Sequence, residues 1–494
     1  MTDQSSAHSL DLIAMAHQAM IDAGFVPDEP QSVEVELKLI ESTPQAALSG
    51  YPIPDLRALL WSSIDDRKSR DLDQVEYVER RPNGAIRLLV GIADVDALVK
   101  AGSQIDSHAE DNATSVYTGV KTFPMLPEEL STDRTSLVGD ADRSAIVIEV
   151  VLATDGSVET SNVFRAMVHN YAKLSYEAIG SWLDSNSEVP AAIANAPAMQ
   201  SQIRLQLETS MRLRELRREQ GALELETIQV TPVLNNTGQV TDLATTERNS
   251  ARDIIENFMI AANVAMAQFL ETKGVTSLRR VVRTPEQWPR IVEIARGLGE
   301  RLPDTPDSRA LAGFLARRKV ADPDHFADLS LATVKLLGPG EYVVQSPASP
   351  GGGHFGLAVN DYTHATAPNR RFADLVTQRL VKAVLANTPE PYTEQELRAI
   401  AAHCTEREDA ARKVERKMRK VAAAVLLQGR IGQEFDAIVT GVTPKGTYAR
   451  LINPPVDGRV MRGERGLRVG DKVRLKLLST DPGRGFIDLG VKAK

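Results

Sequence analysis

Apolar positions recur about every 3.6 residues over five long stretches: 197–220, 247–272, 286–300, 371–387 and 394–428. That spacing gathers them on one side of a helix, so a long helix is expected at each. Two segments follow another rule. AIRLLVGIA (85–93) and SAIVIEVVLA (144–153) are nearly continuous apolar runs rich in β-branched residues. Both read as strands, and the second as one buried on both faces. Near the start, Leu10, Ile13, Ala14, His17 and Ile21 recur at helical spacing, with Gly24 as a stop and Pro27 and Pro30 beyond it. Ser-Gly-Tyr-Pro-Ile-Pro (49–54) has the turn chemistry of a boundary. After residue 430 the pattern changes again. EFDAIVTGV, TYARLI, DGRVM, DKVRLKLL and GFIDLGV are short apolar runs divided by turns, the signature of a small β-barrel of the OB type. Three regions result: a small helical module over 1–50, a large mixed α/β core over 51–425 and a barrel over 430–494. The fold class is multidomain α+β.

Composition narrows the class. The 494 residues suit about three domains. With 42% hydrophobic and 25% charged residues the chain is a globular protein, not a disordered one. Cys404 is the only cysteine, which excludes an internal disulfide and a Cys-rich zinc site and suits a reducing compartment. No apolar run reaches the ~18 residues of a membrane span. No Lys or Arg precedes the first apolar stretch, as a secretory signal would require. A cytoplasmic protein without a membrane partner is expected. The net charge of −8 is unevenly spread. Thr405–Lys494 carries 20 Lys+Arg against 11 Asp+Glu, or +9, which leaves −17 for the rest. A basic tail on an acidic body points toward an anionic partner.

The chemistry concentrates in two stretches. SIDDRKSRDLDQ (63–74) sets Asp65, Asp66, Asp71 and Asp73 within nine positions of what reads as a loop before a strand. Carboxylates packed so closely repel one another unless a cation lies among them. Hard oxygen ligands suit Mg²⁺, and paired Mg²⁺ ions suit in-line displacement at phosphorus. HFGLAVNDYTHATAPNRRFADLVTQRL (354–380) places Arg370 and Arg371 just after Pro368, which reads as a helix start and therefore as a phosphate site. One of these arginines could instead pair with Asp374. Asp94, at the end of a predicted strand, either points into a functional end or caps a turn. In EREDAARKVERKMRK (406–420), Glu408–Arg412 and Asp409–Lys413 are spaced to pair on an exposed helix face. The eight histidines form no HxH or HExxH cluster, and neither a P-loop nor a GxSxG elbow occurs. In the C-terminal barrel, Tyr448 and Phe486 with Lys445, Arg450, Arg459, Arg462 and Arg474 could line a groove for a single strand.

Taken in order, SIDDRKSRDLDQ, GIADVDALV, SVYTGVKTFPMLPEELS (115–131), YAKLSYEAI (171–179), IIENFMIAAN (254–263) and HATAPNRRFADL (364–375) resemble the motifs of the ribonuclease II, or RNB, family of exoribonucleases. The resemblance runs from about Tyr51 to 425 and implies an RNB catalytic domain followed by an OB-fold domain. It implies a processive 3′→5′ exoribonuclease that hydrolyses single-stranded RNA to nucleoside 5′-monophosphates with Mg²⁺, or with Mn²⁺, and acts as a monomer. By motif position Asp65, Asp71 and Asp73 match the aspartates around the metals, with Asp73 the most critical for chemistry. Gln74 stands where the family has a fourth aspartate and is expected at the metal site, giving a neutral carbonyl oxygen or holding a water but bringing no charge. Arg370 matches the arginine on the scissile phosphate. Tyr117 matches the aromatic that stacks on bases near the 3′ end, and Tyr176 a second aromatic beside the RNA. Arg371, Glu415, Lys445 and Arg450 complete the expected RNA contacts.

The chain departs from the family elsewhere too. Ala367-Pro-Asn-Arg replaces Ser-Pro-Ile-Arg, and Asn257 replaces the second glutamate of a Glu-Glu pair. The two cold-shock barrels common at the family's N-terminus have no counterpart in the ~50 residues before the core, so a more open RNA entrance that tolerates some duplex is expected. The alternative is a non-catalytic RNA-binding regulator with a degenerate RNB core.

Overall fold

Two helices lead the chain, α1 (Leu12–Asp22) and α2 (Gln31–Glu41), in a computed structural model that describes residues 11–42, 53–185, 187–226, 229–235, 238–347 and 352–491. The Asp11 side chain caps α1 by accepting from the backbone N–H groups of Ile13 and Ala14, donors that a first turn cannot pair internally. Gly24 follows the helix end at φ +81°. The helix is where its pattern places it, but its inner face is different. Leu12, Ala16, Ala19 and Met20 are buried, while Ile13 and Ile21 are about half exposed. The two alanines allow a close approach to a neighbouring helix that the bulkier isoleucines would prevent. Leu10 and most of the 49–54 boundary lie outside the described residues. The α2 helix buries Val33 and Leu37 in the main core, a different cluster from that of α1.

The core is built on a closed five-stranded barrel. Its chain order is β1 (Trp61–Asp65), β2 (Gln74–Arg80), β3 (Ile86–Ala93), α3 (Gln104–Asn112), a small hairpin of β4 (Val116–Tyr117) and β5 (Thr122–Phe123), then β6 (Asp142–Leu152) and β7 (Val158–Ser175). The strand order β1-β2-β3-β6-β7 is antiparallel except for the closing pair, where β1 and β7 run parallel and Asp65 lies opposite Ser175. The predicted strands are β3 and β6. The other three escape the pattern, because WSSID and QVEYVER are short and half polar, and β7 exposes most of its first half.

Helices and two small two-stranded sheets follow this barrel: α4 (Tyr176–Ser185), α5 (Pro197–Gln220), the hairpin β8 (Gln229–Leu234) and β9 (Val240–Thr246), α6 (Ser250–Thr272), β10 (Ser277–Val281), α7 (Trp288–Gly297), α8 (Ser308–Ala321), α9 (Pro323–Leu337), β11 (Glu341–Gln345), which pairs with β10, α10 (Phe372–Ala386) and α11 (Glu394–Gln428). All five predicted helices are present. The 35-residue α11 begins with a full capping box, Thr393 with Glu396. Along its length it receives α1 at Val414, Met418 and Val421, and then the C-terminal domain at Ala423, Ala424 and Leu427. That domain is a second closed barrel of β12 (Glu434–Thr443), β13 (Gly446–Leu451), β14 (Asp457–Arg462), β15 (Lys472–Asp481) and β16 (Phe486–Val491), ordered β12-β13-β14-β16-β15. Phe435, Leu451, Leu475 and Leu489 fill it. Phe486 is not among them and is 55% exposed. No helix among the described residues is long and apolar enough to cross a membrane.

One buried cation locks α10 to the segment that follows β3. Arg379, 4% exposed, bonds Asp96 at 3.1 Å, Asp106 at 2.7 Å, Tyr392 Oη at 2.7 Å and the Val99 carbonyl at 2.9 Å. Removing it leaves the buried Asp106 without a counter-charge, while Asp96 keeps Lys382 at 2.7 Å. Arg379→Met is therefore expected to cost about 3–5 kcal/mol, read as a lowered urea midpoint.

Candidate active site

The aspartate-rich stretch is a loop pinned from below. Ser136 Oγ donates to the Arg70 carbonyl at 2.7 Å and accepts from the Leu72 N–H at 2.9 Å, and Lys173 Nζ donates to the Ser69 carbonyl. Asp65 ends β1, and Asp73 immediately precedes β2 with its carbonyl bonded to Ala93 N–H at 2.9 Å. The Asp73 side chain is 2% exposed. Its Oδ1 accepts from Asn369 N–H at 3.1 Å and its Oδ2 from Arg370 Nε at 3.3 Å. Burial pushes this carboxyl up to about 7, against the opposing pull of Arg370 and the Asn369 N–H. Burial, and then Asp66 and Asp71, raise Asp65 as well. Asp71 Oδ2 accepts from Tyr117 Oη at 3.4 Å. Gln74 is buried as the first residue of β2, and alternation turns it to the face opposite Asp73.

The paired arginines divide their work. Pro368, Asn369 and Arg370 form a turn, and α10 begins only at Phe372, so neither arginine sits inside a first helical turn as expected. The cause is Asp374, whose Oδ1 accepts both the Ala367 N–H at 2.8 Å and Arg371 Nη2 at 2.7 Å, tying the turn back onto the helix. Arg371, expected on RNA, is thus committed to Asp374. Arg370 points the other way, to Asp73, and keeps 45% of its side chain exposed. The Asn369 side chain accepts from Thr135 Oγ1 at 2.5 Å, away from Asp73. The change from the family's isoleucine therefore leaves the backbone grip on Asp73 in place. His364 and His354 are structural. His364 Nδ1 meets Tyr342 Oη at 2.7 Å, and burial holds it well below its usual range; burial brings His354 down to about 4. Residues 349–351 of the glycine-rich Ser-Pro-Gly-Gly-Gly stretch lie outside the described residues.

Two tyrosines stand at the rim. Tyr117 is 42% exposed, and its N–H donates to Glu415 Oε1 at 3.1 Å. Glu415 thereby braces the hairpin from α11. Tyr176, at the start of α4, presents one ring face to the Arg252 guanidinium at 4.2 Å, and Arg252 in turn bonds Asp66 at 2.9 Å. Arg252 was not visible in the sequence, although it lies two residues before the IIENFMIAAN motif. A cleft of about 2100 Å³ opens here, lined by Asp71, Tyr117, Lys121, Lys173, Arg252 and Arg419. On the C-terminal barrel, Lys445 sits in the exposed β12–β13 turn, and Tyr448 and Arg459 face outward on paired strands. Arg450 does not join them. Only 14% of it is exposed, and it bonds Asp328 of α9 at 3.1 Å and Asp457 at 3.3 Å, so it ties the barrel to the core.

Other flagged positions are structural. Asp94 is buried between Arg165 and Lys382, each at 2.8 Å, which hold its carboxyl low despite burial. Glu408 pairs with Arg412 at 2.7 Å and Arg280 at 2.6 Å, while Asp409 takes Arg412 at 3.2 Å in place of the expected Lys413. Asn257 accepts from Arg217 and donates to Ser210 Oγ at 2.8 Å.

Asp73, gripped by Arg370 at the start of β2, and the nearby cleft of mixed charge lie within the part of the chain that resembles the RNB family. The chain belongs to that family: its RNB domain model matches residues 53–387, and the RNase II-type exonuclease C-terminal S1 domain matches 433–492. Among curated relatives, Ribonuclease R of Thermotoga maritima is 30% identical over 466 residues, covering 88% of this chain and 64% of the relative. Ribonuclease R of Escherichia coli is matched over 54% of its length, so the chain spans about half to two-thirds of such relatives. Mycoplasma genitalium RNase R superposes with a TM-score of 0.87 in complex with ribose-methylated single-stranded RNA (24% identity, 98% of this chain, 78% of that one). Its complex with double-stranded RNA gives 0.86 (25% identity, 98% and 83%).

RNB exoribonucleases depend on a divalent metal. Asp65, Asp71 and Asp73 supply the hard oxygens such an ion needs, and two of them are carboxyls raised by burial that a cation would relieve. Among the described residues no three acidic, His or Cys side chains converge tightly enough to cage an ion alone.

The raised Asp73 has a consequence in the metal-free protein. Its folded value near 7 exceeds the unfolded value of ~3.9, so the folded state keeps a proton that the unfolded state has lost. Its contribution to stability is full below pH ~4 and is lost as the pH rises toward ~7. In chelator, wild type should lose a few kcal/mol more than Asp73→Asn between pH ~5 and ~8, read from urea midpoints at each pH.

Proposed function

We propose that the chain is a processive 3′→5′ exoribonuclease of the cytoplasm, acting as a monomer on single-stranded RNA with Mg²⁺, or Mn²⁺, and releasing nucleoside 5′-monophosphates. The observation that carries this reading is the Asp73–Arg370 contact. Nε faces Asp73, so the terminal guanidinium nitrogens remain for a phosphate. Family membership and the relatives' RNA complexes support it.

The 3′-terminal bases would stack on the exposed ring of Tyr117, which Asp71 and Glu415 hold in place. Asp65, Asp71 and Asp73 would hold the divalent ion, which supplies an activated water and a polarised phosphate. Arg370 would bind the phosphoryl oxygens where charge accumulates in the in-line displacement. Asp73 fixes the orientation of Arg370 and so acts on the phosphate through it as well. Upstream, the outward Lys445, Arg459 and Tyr448 would hold the strand by its phosphates and by stacking.

The second reading, an RNA-binding regulator without activity, is favoured by Gln74 alone, since Asn369 leaves the Asp73 contact intact. A 5′-labelled RNA with Mg²⁺ decides between them. Wild type should leave short labelled ends and release monophosphates, Asp73→Asn should bind without cutting, and a DNA strand of the same sequence should resist. Arg370→Ala should slow cleavage by about 10²–10³-fold, as expected when one charge-stabilising donor is removed. If wild type and Asp73→Asn both bind and neither cuts, the regulator reading replaces the nuclease. Lys445→Ala and Arg459→Ala should each reduce the slope of log affinity against log salt by about one unit without changing the single-turnover cleavage rate.

A further inference from the structure

Asn257 stands where the family has the second glutamate of a pair, and the residue it meets is an arginine. Its amide nitrogen donates to Ser210 Oγ at 2.8 Å and to the Asp253 carbonyl at 2.7 Å, which leaves its oxygen to accept from Arg217 Nη2. The change from glutamate therefore keeps the acceptor and removes the charge. Arg217 lines a cavity of about 170 Å³ walled by the end of α5, the residues after it, and α6 with Arg248 just before it. Four arginines line this space, and three of them are met by carboxylates. Arg214 bonds Glu224 at 2.6 Å and Asp253 at 3.1 Å. Arg248 bonds Asp253 at 2.7 Å and Glu256 at 3.2 Å, and Arg218 bonds Glu215 at 2.6 Å. Glu224 and Glu256, the two acids of the wall, are thus both engaged. Arg217 has no carboxylate within ion-pair distance among the described residues, and its Nε is buried without a partner. A guanidinium cannot shed its proton to escape burial, so it stays charged and calls for an anion. A water needs only ~10–15 Å³ of such space, so the cavity admits a tetrahedral oxyanion.

We propose that this cavity is a binding site for a phosphate group, either free phosphate or the phosphate of a nucleoside monophosphate, with Arg217 as its principal contact. A glutamate at 257 would occupy Arg217 from within the protein, and Asn257 leaves that place to an anion from outside. Phosphate oxygens suit the paired N–H groups of a guanidinium better than a single small halide does. None of Asp65, Asp71, Asp73 and Arg370 lines the cavity, so the site is separate from the candidate active site. It needs neither metal nor RNA. Only the choice of a nucleoside monophosphate as the source rests on the nuclease reading, in which that molecule is the product.

Isothermal titration and melting temperatures test this on the full chain in chelator, at fixed ionic strength in chloride. The probes are inorganic phosphate, adenosine 5′-monophosphate and adenosine. Phosphate should bind wild type and raise its melting temperature, and adenosine should do neither. Asn257→Glu should melt higher than wild type without phosphate, because Arg217 gains its counter-charge, and should bind phosphate about tenfold more weakly or worse. Arg217→Gln should lose the same binding. Arg370→Ala, which alters the candidate active site, should bind phosphate as wild type does. Equal affinity for phosphate and the monophosphate identifies free phosphate as the ligand, and clearly tighter monophosphate binding identifies the nucleotide. A wild type that gains nothing from phosphate beyond chloride overturns the proposal. So does an Asn257→Glu protein that binds phosphate undiminished or fails to fold, or an Arg370→Ala protein that loses the binding. RNA cleavage by a wild type that ignores phosphate sinks this inference alone, and phosphate binding by a wild type that never cuts sinks only the nuclease reading.

Discussion

A carboxylate taken out of water is costly unless a positive group meets it. The contact of Asp73 with Arg370, between residues 297 apart in sequence, is where this chain meets that requirement, and much of the molecule serves to bring the two together. The barrel delivers Asp73 at the start of β2. Asp374 folds the 367–371 turn back so that the Asn369 N–H and Arg370 both face the same carboxyl. Arg379 fastens α10, and with it that turn, to the residues that follow β3. Compensation is incomplete, since burial still outweighs Arg370 and the carboxyl is left near 7.

The features legible in the sequence were those with one dominant cause. Period marks α5, α6, α7, α10 and α11, which lie where the spacing puts them, but not α4, α8 or α9, although each exceeds two turns. The C-terminal barrel was legible because its strands are short, alternating and evenly spaced. The central barrel was not. Its β1 and β2 are brief, and both are covered on two sides by other elements, so no alternation between wet and dry faces marks them. The buried face of α1 escapes the pattern because Ala16 and Ala19 carry little hydrophobic signal, yet close helix packing favours them.

At the site, the aspartates and Arg370 were legible as motifs, and the roles of their neighbours were not. Whether Arg371 meets RNA or Asp374 depends on where α10 starts, and Asp374 decides that through a long-range backbone bond. Arg450 looks like a strand-binding arginine until α9 brings Asp328 beside it. Conversely, Glu415 sits in a run of charges with no pattern of its own, yet it holds the backbone of Tyr117. Such assignments depend on contacts between distant segments, and spacing within one segment carries no record of them.

The long α11 helix also sets a length scale. Glu415, which holds the backbone of Tyr117, and Ala424, buried in the core of the C-terminal barrel, belong to the same unbroken helix. Nine residues at 1.5 Å each separate their attachment points by roughly 14 Å along the axis. The helix therefore fixes, as a set number of turns, the separation between the hairpin that carries Tyr117 and the C-terminal barrel, so that neither shifts along its axis without the other.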